Sequence, residues 1–235
     1  MPTISRTKPK ITWIQVVIHT LGWLPLAWLF YDYFAGRLSV NPIQDIEQRL
    51  GRIAVYFLIA TLACTPFNSL LGWLEFLKRR RALGLYAFMY SSLHVMVFAG
   101  LDYGFNLSQL FDLITQKLYL LVGTIALLML IPLAATSFDY FIRRMGRNWK
   151  RLHWLIYPAA IISMLHYALA QKGNLFALRG NILKPFLLGI FMILLLGLRI
   201  PSVRKWVIGI RRKLSVRSRH LRHAKKNQPR LKSVP

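Results

Sequence analysis

Four histidines lie within long uncharged segments of the sequence and are its strongest candidates for chemistry. They are His19, His94, His153 and His166, whereas His220 and His223 belong to a basic tail. An ionisable side chain inside a membrane span is costly, usually faces the helix bundle and marks a functional site by default. A neutral imidazole can instead bond to a neighbouring backbone, so each histidine also has a purely structural interpretation.

Depth along the predicted spans separates these histidines. His94 and His166 lie about 18 Å and about 21 Å from the cytosolic ends of spans three and five, at about 1.5 Å per helical residue. Both spans run outward, so the two imidazoles are predicted to meet at one level and to ligate one haem iron from opposite faces. A haem with two imidazole ligands has no open coordination position, which suits electron transfer and disfavours oxygen binding.

The other two histidines have less defined roles. His153 lies at the cytosolic mouth of span five, where span three carries the arginines 79–81 instead of a matching histidine. On an ideal helix His153 and His166 point about 140° apart, so both face inward only if the helix kinks or unwinds near Pro158. His19, about 12 Å deep in the first span, is a candidate for lining a quinone or flavin pocket.

Basic side chains flank the cytosolic mouth of the predicted bundle. Arg80, Arg81, Lys150 and Arg151 can pair with haem propionates, with a flavin phosphate or with lipid phosphate. Retention of positive loops in the cytosol explains these residues without any cofactor.

Six segments that are almost free of charged side chains must position these residues. They cover about residues 11–33, 53–74, 82–101, 117–138, 151–171 and 181–201. Runs near twenty residues cross a hydrocarbon core of about 30 Å as helices, in which every backbone amide finds an internal partner. The fold class predicted is an all-α integral membrane protein with a six-helix transmembrane bundle over 11–203. Lys184 and Arg199 bracket the short sixth span and are predicted to snorkel to the interfaces.

The distribution of positive charge predicts the orientation. The net charge is +25, and only seven of the 32 Lys and Arg residues fall in the loops of one side. Because positive loops stay in the cytosol, both termini are predicted to be cytosolic, including a segment 1–10 and a basic tail 204–235. The tail is expected to lie on anionic lipid or to be disordered. This pattern favours a membrane protein over a nucleic-acid binder.

Composition excludes several cofactors and domains. The single Cys64 cannot form an internal disulfide, a structural zinc site or an iron-sulfur cluster, and it is expected to be a small buried hydrophobe. The C-x-x-C-H motif is absent, so any haem is held noncovalently. No Gly-rich phosphate loop occurs, so a redox partner must come from elsewhere. Gly22, Gly123 and Gly189 are interpreted as helix-packing positions.

Three histidine-centred stretches resemble the MsrQ (YedZ) family of haem-binding membrane subunits, part of the ferric-reductase-like transmembrane group. The stretches cover residues 49–67, 80–94 and 148–167, and with the hydropathy pattern the likeness extends from about 11 to 199.

The resemblance implies a subunit of the bacterial inner membrane that passes electrons outward. The donor would be the quinone pool or a cytosolic flavin reductase, and the acceptor a periplasmic molybdopterin enzyme that reduces methionine sulfoxide in proteins. The family is associated with haem b, one or two per chain, and with FMN. His94, His153 and His166 match the positions that the family uses for haem. NADPH oxidases of the wider group have a histidine where this chain has Arg80, so a second haem with the same ligation is not implied.

Two other functions stay open on the sequence. One is a membrane scaffold or transporter with structural histidines, although Asp32 and Asp102 lie at span ends and no internal repeat is evident. The other is a self-contained ferric reductase, which would reduce iron chelates without a periplasmic partner.

Overall fold

The computed structural model describes residues 12–171, 173–174, 179–180, 183–211 and 213, which are almost wholly helical. The helices are α1 Trp13–Phe34, α2 Pro42–Leu71, α3 Leu74–Val97, α4 Leu107–Gln116, α5 Leu118–Ala135, α6 Asp139–Met145, α7 Arg147–Leu152, α8 Ile156–Ala170, α9 Leu183–Gly197 and α10 Pro201–Arg211. A π-helical turn, Phe98–Asp102, follows α3, and a 3-10 turn, His153–Leu155, joins α7 to α8. Gly173–Asn174 (β1) pairs antiparallel with Arg179–Gly180 (β2).

Helix α2 begins well before residue 53, where the uncharged segment begins. The side chain of Asn41 accepts a hydrogen bond from the Gln44 amide, and Pro42 occupies the first helical turn. Both features stabilise a helix N-terminus. The helix ends at Gly72, whose φ of 77° is the left-handed conformation that favours glycine. Hydropathy therefore located the apolar part of α2 but missed its polar first turns.

A short helix that hydropathy did not predict lies beyond the outer end of α3. Gly104 and Phe105 both have positive φ and end the π-helical turn, and the Asn106 side chain then caps α4 by accepting from the Gln109 amide. Helix α4 buries Leu110 and exposes Phe111. One apolar face on a short helix is typical of a segment lying at a membrane interface.

The core of the bundle joins α2, α3, α5, α8 and α9. Small residues at the centre of this core include Ala87, Ala159 and Ala160, each at most 1% exposed, and they allow the helix backbones to approach closely. Cys64 is buried and free, as predicted. Large apolar side chains such as Leu128 on α5 and Ile193 on α9 are instead exposed on the outside of the bundle, as lipid contact requires.

Among the described residues, five helical segments are long and apolar enough to cross a membrane, and α9 with α10 makes a sixth if that bent pair counts as one span. The chain is therefore a multi-pass membrane protein. Helix α9 has 15 residues, and its axis and that of α10 differ by 80°. The predicted sixth span, 181–201, contains α9, and the bend lies at its end, where α10 begins at Pro201.

Arg199 does not snorkel outward, contrary to the sequence prediction. It lies between α9 and α10 and turns into the bundle, where Nε donates to the Leu62 carbonyl at 3.1 Å and Nη2 to the Thr61 carbonyl at 3.3 Å. Its guanidinium lies over the ring of Tyr157, 5.6 Å from the centroid. Pro66 explains this choice, because a proline has no amide proton to bond the Leu62 carbonyl four residues earlier.

The first residues of the predicted tail are structured. Residues 204–211 belong to α10, Val207 is buried, and Arg211 donates to the Asn68 carbonyl near the end of α2 at 3.0 Å. The expectation of disorder is therefore wrong for 204–211, whereas contact of the tail with anionic lipid stays a prediction. The rest of the tail from 214, with His220 and His223, and the N-terminal segment 1–10 lie outside the described residues.

Candidate cofactor site

Two histidine rings from different helices face each other inside the bundle. His94 on α3 and His166 on α8 have ring centroids 6.2 Å apart, with ring planes at 69°. The sequence prediction that these side chains meet at one depth is confirmed. Whether the two histidines can act as ligands depends on which ring nitrogen of each carries the proton.

Each ring is anchored in the same way. The Nδ1–H of His94 donates to the Glu47 carbonyl on α2 at 2.9 Å, and the Nδ1–H of His166 donates to the Tyr119 carbonyl on α5 at 2.7 Å. A carbonyl can only accept, so each bond places the ring proton on Nδ1 and leaves the Nε2 lone pair available. An imidazole fixed by a bond from its other nitrogen is the usual arrangement of a metal-ligating histidine. Sequence reasoning missed both anchors because a backbone carbonyl gives no residue-type signal.

The separation of the rings fits two ligands on one haem iron. A histidine nitrogen binds a transition metal at about 2.0–2.1 Å, and the ring centroid lies roughly 1.1 Å behind it, so two rings on opposite sides of one ion have centroids roughly 6.3 Å apart. The observed 6.2 Å agrees with that value. Among the described residues no group of three or more His, Cys, Asp or Glu could hold a metal ion. A haem iron needs only two axial ligands from the protein.

His153 lies apart from this pair, at the start of the 3-10 turn between α7 and α8. Its ring stacks on Trp149 with centroids 3.9 Å apart, and its Nδ1–H donates to the Trp149 carbonyl at 3.1 Å. The turn has about 3.0 residues per turn rather than 3.6, so the chain is wound more tightly there and is not unwound. Each residue of the turn adds about 20° of rotation, which reduces the angle between His153 and His166 expected for an ideal helix, and the turn precedes Pro158 rather than coinciding with it.

The arginines predicted to flank the cytosolic mouth have different surroundings. Arg81 is exposed and pairs with Asp139 at 2.6 Å, and Arg151 is also exposed. Arg80 is half-buried. Of these three arginines, Arg80 is therefore the one placed to neutralise an anion within the bundle.

His19 does not line a cavity with the other candidates. It is exposed on α1, and its Nδ1 is 2.9 Å from the hydroxyl of Tyr86 on α3. A cavity of about 330 Å³ opens between α1 and α2 instead, and His19 is not among its lining residues. Those residues are Leu24, Pro25, Trp28, Leu29, Arg49, Arg52, Ile53 and Tyr56. His19 faces α3 and does not belong to this cavity, so its place in a quinone or flavin pocket stays a prediction.

Comparison with known proteins places these features in a family. Residues 50–164 match the family model described as "Ferric reductase like transmembrane component". A protein of Rhodospirillum rubrum, named protein-methionine-sulfoxide reductase heme-binding subunit MsrQ, is 40% identical over 205 residues, which cover 86% of this chain and 94% of the relative. The proteins of that name from Cronobacter sakazakii and Salmonella paratyphi B are 36% and 34% identical over 201 residues, covering 85% of this chain and 97% and 98% of the relatives. Near-complete coverage at this identity, with the described helices long and apolar enough for several spans, shows that the chain belongs to the MsrQ family of ferric-reductase-like transmembrane proteins.

Proposed function

We propose that this chain is the membrane cytochrome b subunit of a methionine sulfoxide reductase system and carries electrons outward across the bacterial inner membrane. The proposal rests on one observation, the opposed rings of His94 and His166 with both Nδ1 atoms anchored and both Nε2 atoms available. The relatives, whose name describes a haem-binding subunit of such a system, support the same conclusion.

The residues of this site hold and orient the cofactor. His94 and His166 would ligate a haem b, which supplies one-electron redox chemistry when bound. Each imidazole keeps its proton at Nδ1 on a helix carbonyl, which fixes the ring and raises its basicity as a ligand. Both histidines are partly buried within the bundle, which limits the access of water to the site. A haem held by both imidazoles would favour electron transfer over reaction with oxygen.

Spectroscopy of the purified protein tests the ligand assignment. The wild type, expressed with adequate haem, is expected to show a reduced-minus-oxidised cytochrome b spectrum. His94→Ala and His166→Ala should each abolish or strongly diminish it, whereas His19→Ala, which removes an exposed histidine outside the pair, should keep it. Wild-type haem content in both ligand variants would refute the assignment, and a colourless wild type would favour a scaffold or transporter.

A second cofactor is proposed at the cytosolic mouth, near His153. The Nδ1 of His153 is occupied by the Trp149 carbonyl, so its Nε2 is available, and the half-buried Arg80 is the arginine best placed to pair with an anion inside the bundle. A second haem b or an FMN phosphate would suit these groups. Haem and flavin should be quantified in one purified sample of the wild type, His153→Ala and Arg80→Gln. Both variants should lose the second cofactor and retain the His94–His166 haem, and unchanged stoichiometry would exclude the site.

The electron donor is proposed to be a quinol, with a cytosolic flavin reductase as the other candidate. The cavity between α1 and α2 supports the quinol, because its volume lies in the range of small-molecule sites and it joins the Trp28 and Tyr56 rings to Arg49 and Arg52. Trp28→Ala should slow haem reduction by a quinol analogue and leave reduction by a flavin reductase unchanged. Equal rates of quinol-driven reduction in Trp28→Ala and wild type would argue against this cavity. The acceptor is proposed to be a periplasmic molybdopterin reductase of protein methionine sulfoxide.

The orientation is proposed to be cytosolic at both termini, as the distribution of Lys and Arg indicates. Gly104 and Gly146 both have positive φ and lie in the connections that follow α3 and α6. A reporter that is active only in the periplasm should work when fused after Gly104 and fail when fused after Gly146. The reverse pattern would invert the topology.

A further inference from the structure

Two glycines lie directly against the rings of the proposed haem ligands. A Cβ added at Gly51 on α2 would be 3.3 Å from Nδ1 and 3.4 Å from Cε1 of His94. A Cβ added at Gly123 on α5 would be 2.7 Å from the same two atoms of His166. Each ring therefore packs edge-on against the backbone of the facing helix, at the position of a missing side chain.

The glycines stand in a fixed relation to the anchoring carbonyls. Glu47 lies four residues before Gly51, and Tyr119 lies four residues before Gly123. Each histidine follows its anchoring residue by 47 positions. The arrangement of carbonyl, glycine and histidine thus occurs twice, once across α2 and α3 and once across α5 and α8. The connections differ, since two residues join α2 to α3 whereas α6, α7 and a 3-10 turn separate α5 from α8.

Helix geometry explains why glycine is needed at this position. In an α-helix the amide of residue i+4 already bonds the carbonyl of residue i. The Cβ of residue i+4 points back toward the N-terminus and covers that same carbonyl. At both glycines the imidazole ring lies so close to the helix that this Cβ would crowd it, so the missing Cβ lets the ring reach the second lone pair of the carbonyl. Glycine at i+4 therefore exposes a helix carbonyl as an acceptor for Nδ1–H.

We infer that Gly51 and Gly123 are positioning residues for the cofactor ligands: each exposes one helix carbonyl so that it can accept the Nδ1–H of one axial histidine. This inference rests on the proposed ligation of haem by His94 and His166. The carbonyl bonds make the imidazoles more basic, and a more basic ligand stabilises ferric over ferrous iron. The two glycines thereby help to keep the haem potential low, in addition to orienting the rings.

Haem binding should be more sensitive to an added methyl group at Gly123 than at Gly51. At Gly51 the added Cβ is 3.3 Å from the ring, so a shift of a few tenths of an ångström accommodates a methyl group. At Gly123 the 2.7 Å contact would require the His166 ring to move away from the Tyr119 carbonyl. The expected order of effect is therefore Gly123→Ala greater than Gly51→Ala. Gly84→Ala on α3 is the matched control, because its Cβ would meet only Thr61, at an ordinary 3.7 Å.

The test compares haem per monodisperse protein, the low-spin absorption spectrum and the haem midpoint potential in wild type and the three variants. Loss of an outer-shell partner typically costs about 10–100-fold in metal affinity, and Gly123→Ala should fall in that range. Where haem is retained, a tenfold weakening of the ferric state alone corresponds to an upward shift of about 59 mV for one electron. Gly51→Ala should keep its haem with a smaller upward shift, and Gly84→Ala should match the wild type.

Two outcomes would overturn the inference. One is a Gly123→Ala protein that equals Gly84→Ala in haem content, spectrum and potential, and the other is a larger effect at Gly51 than at Gly123. If Gly123→Ala cannot be purified as a monodisperse protein, Gly51→Ala decides, and an unchanged potential there refutes the role. The proposed function would fail separately, through a wild type without haem or through histidine variants that keep it.

Discussion

Arg199→Leu is the substitution that most directly tests how the break between α9 and α10 is held to α2. The Leu62 carbonyl has no helical donor because Pro66 occupies the position of that donor, and Arg199 Nε donates to it at 3.1 Å. The Thr61 carbonyl keeps its own helical donor, so its bond to Arg199 contributes less. The substitution therefore leaves one buried carbonyl without a partner.

Opposing contributions determine how much Arg199→Leu changes the free energy of unfolding. An unsatisfied buried polar group costs about 1–3 kcal/mol, but hydrogen bonds between membrane helices average only about 0.6 kcal/mol and reach about 1.7. Removing a cation from apolar surroundings works in the opposite direction. In a double-mutant cycle with Pro66→Ala, the loss of the cation occurs in both backgrounds, so that second effect cancels. The alanine amide restores the donor to the Leu62 carbonyl, so the cycle isolates the bond between Arg199 and that carbonyl. The expected coupling between the two substitutions is about 1 kcal/mol.

The assay is thermal unfolding of the haem-loaded protein in detergent for the wild type, both single variants and the double variant. About 1 kcal/mol corresponds to a difference of roughly 2–4 °C in Tm for a chain of this size. Arg199→Leu should thus lower Tm by that much more when Pro66 is present than in the Pro66→Ala background. Pro25→Ala, in α1, provides a control cycle that should be additive. Additivity within about 0.3–0.5 kcal/mol in the Pro66 cycle would refute the reasoning.

Three further predictions follow from particular contacts. Tyr90→Phe removes a hydroxyl on a fully buried ring, which donates to the Gly22 carbonyl at 2.7 Å. The free energy of unfolding, measured by thermal unfolding, should fall by about 1 kcal/mol, and no change would mean that this bond does not hold α1 to α3. Asp32→Ala breaks the ion pair between the buried Asp32 and the partly exposed Arg49 at 2.6 Å, but Arg49 keeps Asp45 at 2.9 Å. The free energy of unfolding should therefore fall by about 1 kcal/mol rather than by the 3–5 of an unpaired buried charge, and a loss of the larger size would show that Asp45 does not compensate. The ring planes of His94 and His166 cross at 69°, so the ferric protein should give a strongly anisotropic low-spin EPR signal, and the rhombic signal of parallel imidazoles would contradict the geometry.

Hydropathy located most of the membrane spans because hydrocarbon admits few charged side chains and requires internal backbone bonding. It missed the polar first turns of α2 and the short helix α4, which depend on the capping residues Asn41 and Asn106 rather than on apolar content. Hydropathy also could not predict that the Arg199 side chain turns into the bundle. That turn depends on a carbonyl freed by Pro66, more than a hundred residues away in the chain.

The meeting of His94 and His166 was predictable from the sequence, since depth in a membrane follows from counting residues along a straight helix at about 1.5 Å each. Their anchoring was not. The carbonyls of Glu47 and Tyr119 carry no residue-type signal, and Gly123 could be interpreted from the sequence only as a packing position. Counting residues along one helix gives the depth of a side chain in the membrane. How far the helix is rotated about its axis, and which backbone atoms face the side chain, depend on how neighbouring helices pack. The amino-acid sequence alone therefore determined which side chains share a level in the membrane, and only the tertiary structure decided which atoms of the facing helices hold them there.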